Sequence, residues 1–92
     1  MADPEVRESA KTKAPPWPGR YFKQPPPMEG KNNDVRTWQA QMRKRGWRID
    51  ADNWYGPQSE AVCYEFQREK KLKVDGIVGP KTWACAWECP IT

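Results

Sequence analysis

The chain has 92 residues, 16 of them basic and 12 acidic, giving a formal net charge of +4 and a mean hydropathy of −1.06. That length holds one domain at most, and a folded body of roughly 60 residues buries a modest share of its surface. Histidine is absent, which excludes Ser-His-Asp and Cys-His catalysis within the chain and any His-bearing zinc site, while three cysteines fall short of an all-Cys one. No metal or cofactor is expected. Six tryptophans in so hydrophilic a chain point to two jobs, filling a small core and presenting rings to a ligand. The mild positive charge suits polyanionic surroundings without choosing among them.

Residues 1–14 read as a solvated tail or linker, with too little apolar content to order. Residues 15–32 differ in kind. Their prolines favour an extended path, yet Trp17, Tyr21, Phe22 and Met28 are poor residues to leave in water. The segment is therefore expected to lie across the folded body, with a flexible linker as the alternative.

The folded domain is expected over 33–89. A first helix opens with Asn33 as N-cap and Asp34 in its first turn, and Val35, Trp38 and Met42 recur at helical spacing. The basic run Arg43–Arg45 reads as a charge cap on a solvated face, with attraction to an anionic polymer as its functional alternative, and Gly46 supplies the stop. Trp47 and Ile49 follow in extended backbone. A second helix opens at Gly56–Pro57 and runs to about Lys70, with Val62, Cys63 and Phe66 on its apolar face. A third opens at Gly79–Pro80, carries Trp83, Ala86 and Trp87, and ends before Pro90. Cys63, Cys85 and Cys89 read as small buried residues, with one disulfide between segments as the alternative.

An internal repeat is the most informative feature. Asp52–Ser59, DNWYGPQS, returns 23 residues later as Asp75–Thr82, DGIVGPKT. Ile49 and Ala51 match Leu72 and Val74 at the same offset. Physically, Asp followed by Asn53 or Gly76 suits a tight turn with positive φ, two apolar residues then drop inward, and Gly-Pro launches a helix. The fold class expected is all-α: a small three-helix bundle with two pseudo-repeated turn–helix units and an extended Pro-rich N-terminal segment.

From Asp34 to Trp87 the chain resembles the peptidoglycan-binding domain type 1 family. The resemblance rests on Val35, Trp38–Gln39, Gly46–Trp47, Asp52–Ser59, Val62–Cys63, Phe66–Gln67 and Asp75–Trp83, in that order and spacing. Asn53 stands where the family usually has Gly, and Cys63 where it usually has an aliphatic residue. The upstream PPWPGRYFKQPP is similar to an extension in actinobacterial and actinobacteriophage members. The resemblance implies a non-catalytic module that targets an attached or partner wall hydrolase or endolysin to peptidoglycan. It implies a monomer that acts at the bacterial cell wall without nucleic-acid or membrane partners. Residues 1–30 contain no apolar stretch fit for an export signal, so the chain is expected to be part of a larger exported or phage-delivered protein. The alternative keeps the fold and makes it a protein-docking module, prodomain-like or a virion component.

A peptidoglycan binder needs an aromatic platform, amide-type hydrogen bonders and an anion site. The Asp52–Ser59 loop offers Trp54 or Tyr55 as ring, Gln58 as amide, and free N–H groups past Gly56 for a carboxylate. The Asp75–Thr82 turn offers a second such helix start, with aliphatics in place of rings. Against this, Tyr55 aligns with core-like Val78 and Trp54 with Ile77, while Asp52 and Asp75 also read as turn residues. Trp47, Arg36 and Arg48 are rim candidates. A helix-turn-helix reading meets Glu60, Glu65 and Glu69 on the second helix, poor company for phosphates. A glycosidase needs two carboxylates across a deep cleft, for which so small a body leaves little room.

Overall fold

The computed structural model describes residues 13–91, so most of the tail expected at 1–14 lies outside the described residues. Five elements follow in order: β1 (Met28–Glu29), α1 (Asp34–Lys44), β2 (Trp54–Tyr55), α2 (Pro57–Glu69) and α3 (Pro80–Glu88). The architecture is mostly helical rather than purely α. β1 and β2 pair antiparallel, Met28 opposite Tyr55 and Glu29 opposite Trp54, and Phe22 forms a separate antiparallel bridge with Val78. The three expected helices are present, and the departure from a purely α fold has a definite reason. A proline-rich segment cannot coil into a helix, so its remaining backbone groups seek partners elsewhere, and the two turns supply them.

α1 buries Val35, Trp38, Gln39 and Met42 along one stripe. Asn33 precedes it in left-handed backbone, φ 60°, and makes no side-chain cap. Asp34 does that work instead, its Oδ1 accepting from the amides of Lys31 at 2.8 Å and Val35 at 2.7 Å. The helix stops at Gly46, φ +104°, where the Gly46 and Trp47 amides bond back to the carbonyls of Arg43 and Met42. α2 and α3 both begin at a Gly-Pro step, with Glu60 N donating to Gly56 O and Trp83 N to Gly79 O.

The core joins Val35, Trp38 and Met42 of α1 to Tyr55, to Cys63 and Phe66 of α2, and to Val78 and Ala86. Phe22 of the extension is wholly buried among them, 6.1 Å from Tyr55 and 6.2 Å from Trp83 between ring centres. The rest of the extension is tied down along its length. Trp83 Nε1 donates to Pro15 O at 2.9 Å, Arg20 pairs with Asp34 at 2.8 Å, and Gln24 donates to Glu60 at 2.6 Å.

Two readings of the sequence change at the C-terminal end. Cys85 and Cys89 form a disulfide within one segment, closing the last turn of α3, while Cys63 is a free, buried thiol. Arg45 is not on a solvated face. Its guanidinium donates to Ala86 O, Cys89 O and Pro90 O and lies 5.0 Å from the Phe66 ring centre. It thus caps α3 rather than its own helix, satisfying carbonyls that a helix end leaves open.

Candidate functional site

Two glutamines organise the surface turns. Gln39, fully buried on α1, donates through Nε2 to Trp54 O at 2.7 Å, Ser59 Oγ at 2.9 Å and Asp52 Oδ1 at 3.3 Å. Its Oε1 accepts from Asn53 N at 2.9 Å. Gln67, 1% exposed on α2, holds the later turn in the corresponding way. Its Nε2 donates to Asp75 Oδ1, Ile77 O and Thr82 Oγ1, each at 3.0 Å, and its Oε1 accepts from Asp75 N and Gly76 N. Asn53 and Gly76 occupy the positive-φ position of their turns, at 68° and 70°. Each amide side chain stands in for a strand partner that the turn lacks.

What the two turns present outward differs. At the first, Trp54 is 50% exposed on the two-residue sheet. At the second, Ile77 sits at the edge of an open groove of about 530 Å³. Tyr21 forms one wall. Leu72, Ile77, Gly79 and Pro80 line the apolar floor, and Lys71, Lys73 and Lys81 complete the lining with Asp75. Tyr21 is 55% exposed yet held in place. Next to it Phe22 exchanges both backbone bonds with Val78, at 3.1 and 2.9 Å, and Trp17 meets the Tyr21 ring edge-on at 5.6 Å.

The residues singled out from sequence are dispersed. Trp54 is solvent-facing, with Arg36 exposed nearby, where the Arg36 amide donates to Asn53 Oδ1. Tyr55 is wholly buried and its hydroxyl donates to Gly76 O at 2.7 Å, so it offers no ring face to a ligand. Gln58 is exposed, with its Oε1 accepting from Asp50 N. Asp52 and Asp75 each accept the amide two residues on, Trp54 N and Ile77 N, at 3.0 Å, which makes them turn-formers. Trp47 is half-buried edge-on to Phe66 at 6.4 Å, beside Arg45, Glu69 and Ile91. Arg48 is exposed and joins none of these groups.

The sequence offered Trp54, Tyr55 and Trp47 as rings for a ligand. Tyr21 and the three lysines went unrecognised as one site, because Tyr21 lies more than fifty residues before the turn it walls. The only available signal was an aromatic next to a core-grade Phe in a proline-rich stretch.

The titratable groups inside the body are not reactive. Burial raises the Tyr55 phenol far above its ordinary value, and the neighbouring Cys63 adds to the rise. Burial likewise pushes the Cys63 thiol up to about 12, against a smaller lowering from Tyr55. A thiol in that state holds almost no thiolate at neutral pH. Among the described residues no group of three or more His, Cys, Asp or Glu gathers as a metal site, and no helix is long and apolar enough to cross a membrane.

An open groove lined by an aromatic ring, aliphatic side chains and three lysines is a surface suited to binding. The family model for the peptidoglycan binding domain matches residues 31–85, and the chain belongs to that family. A stretch of 35 residues is 51% identical to an uncharacterized protein encoded in the region 3′ of bpoA1 in Kitasatospora aureofaciens. The match covers 38% of this chain and 30% of that protein, so it spans under a third of the relative's length. No solved structure matches the chain significantly.

Proposed function

We propose that this chain is a non-catalytic module that binds peptidoglycan through the groove beside the Asp75–Thr82 turn. On this reading it targets an attached or partner wall hydrolase to its substrate, as one binding domain of a longer protein. The observation that carries the reading is the groove itself. It sets a fixed aromatic ring, an apolar floor and three ammonium groups around one open space, on a chain of the peptidoglycan binding domain family. Such a surface binds a polymer weakly at one point and gains from tethering to a second domain. The exposed Trp54 forms a second and smaller contact suited to stacking on a sugar ring.

Co-sedimentation with insoluble sacculi, stripped of other wall polymers, tests the reading. The folded chain is expected to pellet with sacculi at low salt and to be partly released at high salt, since exposed ammonium groups are screened. A Trp54→Ala variant is expected to keep most of its binding. Failure of the folded chain to pellet with several peptidoglycan types would overturn the reading and favour docking on a protein partner. Complete loss on Trp54→Ala would move the principal site to the first turn.

A further inference from the structure

We propose that the groove takes the carboxylate-bearing stem peptide of peptidoglycan rather than its glycan strand, and that Tyr21 is a specificity-determining wall of that site. The inference rests on the peptidoglycan-binding reading and names which part of the polymer is read.

Three observations carry it. The first is charge. Lys71, Lys73 and Lys81 are exposed, line the groove together, and none makes an ion pair among the described residues. The one acid in the lining, Asp75, has its Oδ1 engaged by Gln67 Nε2 and Ile77 N. The groove is therefore lined by three lysines against one carboxylate, a net positive balance that complements a free carboxylate. The positive end of α3 at Gly79–Thr82 faces the same space and adds to that field.

The second is the shape of the apolar lining. Sugar rings ask for a broad flat aromatic face. Here one ring stands as a wall over Leu72, Ile77 and Pro80, an aliphatic floor that suits short side chains such as those of alanine. Trp54 is the residue that offers a broad exposed ring, at the other turn.

The third is the fixing of Tyr21. A Cβ added at Gly79 would lie 2.8 Å from Tyr21 Cε2, so the ring rests directly on the bare backbone of Gly79. Its neighbour Phe22 is wholly buried and bridged to Val78, which sets the backbone from which Tyr21 projects. Tyr21 also precedes residues 31–85, the part of the chain that the family model matches. The wall is thus supplied from outside the region that the family model matches, and this makes it a place to set selectivity.

The experiment compares three wall preparations: native sacculi, sacculi with carboxylates capped as amides, and immobilised glycan strands stripped of stem peptides by an amidase, with the lactyl carboxylates that this hydrolysis leaves also capped as amides. The chain is tested as wild type, as Tyr21→Ala, as Tyr21→Phe, and with Lys71, Lys73 and Lys81 all changed to Gln. Binding to amidated sacculi or to the stem-free glycan is expected to fall about tenfold, the sum of several exposed charge pairs. The triple Gln variant is expected to lose a similar factor on native sacculi and to gain no further loss on amidated ones. Tyr21→Ala is expected to weaken binding severalfold and Tyr21→Phe to retain it, with circular dichroism confirming that both fold. Undiminished binding to bare glycan would overturn the inference while leaving the peptidoglycan reading intact. Binding only to walls that still carry phosphate polymers would also overturn it. No binding to any native sacculi would remove the peptidoglycan reading itself.

Discussion

The two surface turns share an inner construction and differ in what they show to solvent. Both are pinned by a buried glutamine, both place a residue at φ near 70°, and both lead into a Gly-Pro helix start. The first turn pairs its outer edge with β1 and leaves Trp54 in water. The second pairs Val78 with Phe22 and gains Tyr21 as a wall. Their positive-φ residues differ for a local reason. Asn53 uses its side chain, with Oδ1 accepting from Arg36 N. A Cβ on Gly76 would lie 2.7 Å from Tyr64 Cε2, and that position has no room. The lesson is that the inward bonds set the turn and the outward residues set its use, so the two can vary separately.

The largest expected effect comes from removing the pins. Gln67 makes five hydrogen bonds and Gln39 four, among them those to the amides of Asn53, Asp75 and Gly76 and the carbonyl of Ile77, which the turns leave without a backbone partner. Gln67→Ala should cost about 3 kcal/mol and Gln39→Ala about 2 kcal/mol, from lost bonds plus orphaned polar groups. Urea unfolding, read as a change in midpoint at constant slope, measures both. A Gln39→Ala loss equal to or greater than that of Gln67→Ala would break the claim that the second turn is the more tightly held.

A smaller effect concerns how the extension is fastened. Burial by itself raises the Asp34 carboxyl, but bonds from Arg20, Lys31 and Val35 outweigh it and hold the group below its ordinary value. A depressed folded pKa contributes stability that is complete above the unfolded value of about 3.9, and that is lost as pH falls through the folded value. Asp34→Asn should therefore cost about 1–2 kcal/mol near neutrality and nothing at the acid end. Thermal midpoints across that range, wild type against variant, should converge only below about pH 4. Parallel curves at every pH would show that the Arg20–Asp34 pair does not fasten the segment carrying Tyr21 and Phe22.

How much of this could be read beforehand follows from which signals are local. Helix starts at Pro57 and Pro80 were legible because Gly-Pro acts on its own neighbours. The burial of Val35, Trp38, Cys63 and Phe66 was legible from period alone. The alignment of Tyr55 with Val78 already pointed inward, and both are buried. What escaped was long-range. Gln39 and Gln67 stood out only as parts of the family pattern, because the turns they bond lie 13 to 20 and 8 to 15 residues further on. Arg45 looked like a cap for its own helix, yet its partners lie at 86–90. The small sheet needed strands from two distant segments, and neither has a two-residue pattern strong enough to announce itself. The Cys85–Cys89 link has no local signature, since two cysteines four apart on a helix are also compatible with two small buried side chains.

The finest test of the comparison uses one substitution at the matching position of each turn. Gly56 and Gly79 both sit in extended backbone, φ −118° and −108°, which any residue adopts without strain. Alanine at either site lowers the entropy of the unfolded chain and should by itself stabilise by about 0.5 kcal/mol. At Gly56 the nearest atom to the new methyl is Pro27 Cβ at 3.8 Å, an ordinary contact, so the gain should survive. At Gly79 the methyl meets Tyr21 Cε2 at 2.8 Å and Cδ2 at 3.2 Å. The half-exposed Tyr21 ring must shift from its contact with Trp17 to admit the methyl, which cancels the gain in stability while displacing the groove wall. Gly79→Ala is thus expected to melt near the wild type and bind sacculi severalfold more weakly, whereas Gly56→Ala melts slightly higher and binds as before. Equal binding by the two variants would detach Tyr21 from the site. Weaker binding by Gly56→Ala alone would return the site to the first turn and its exposed Trp54.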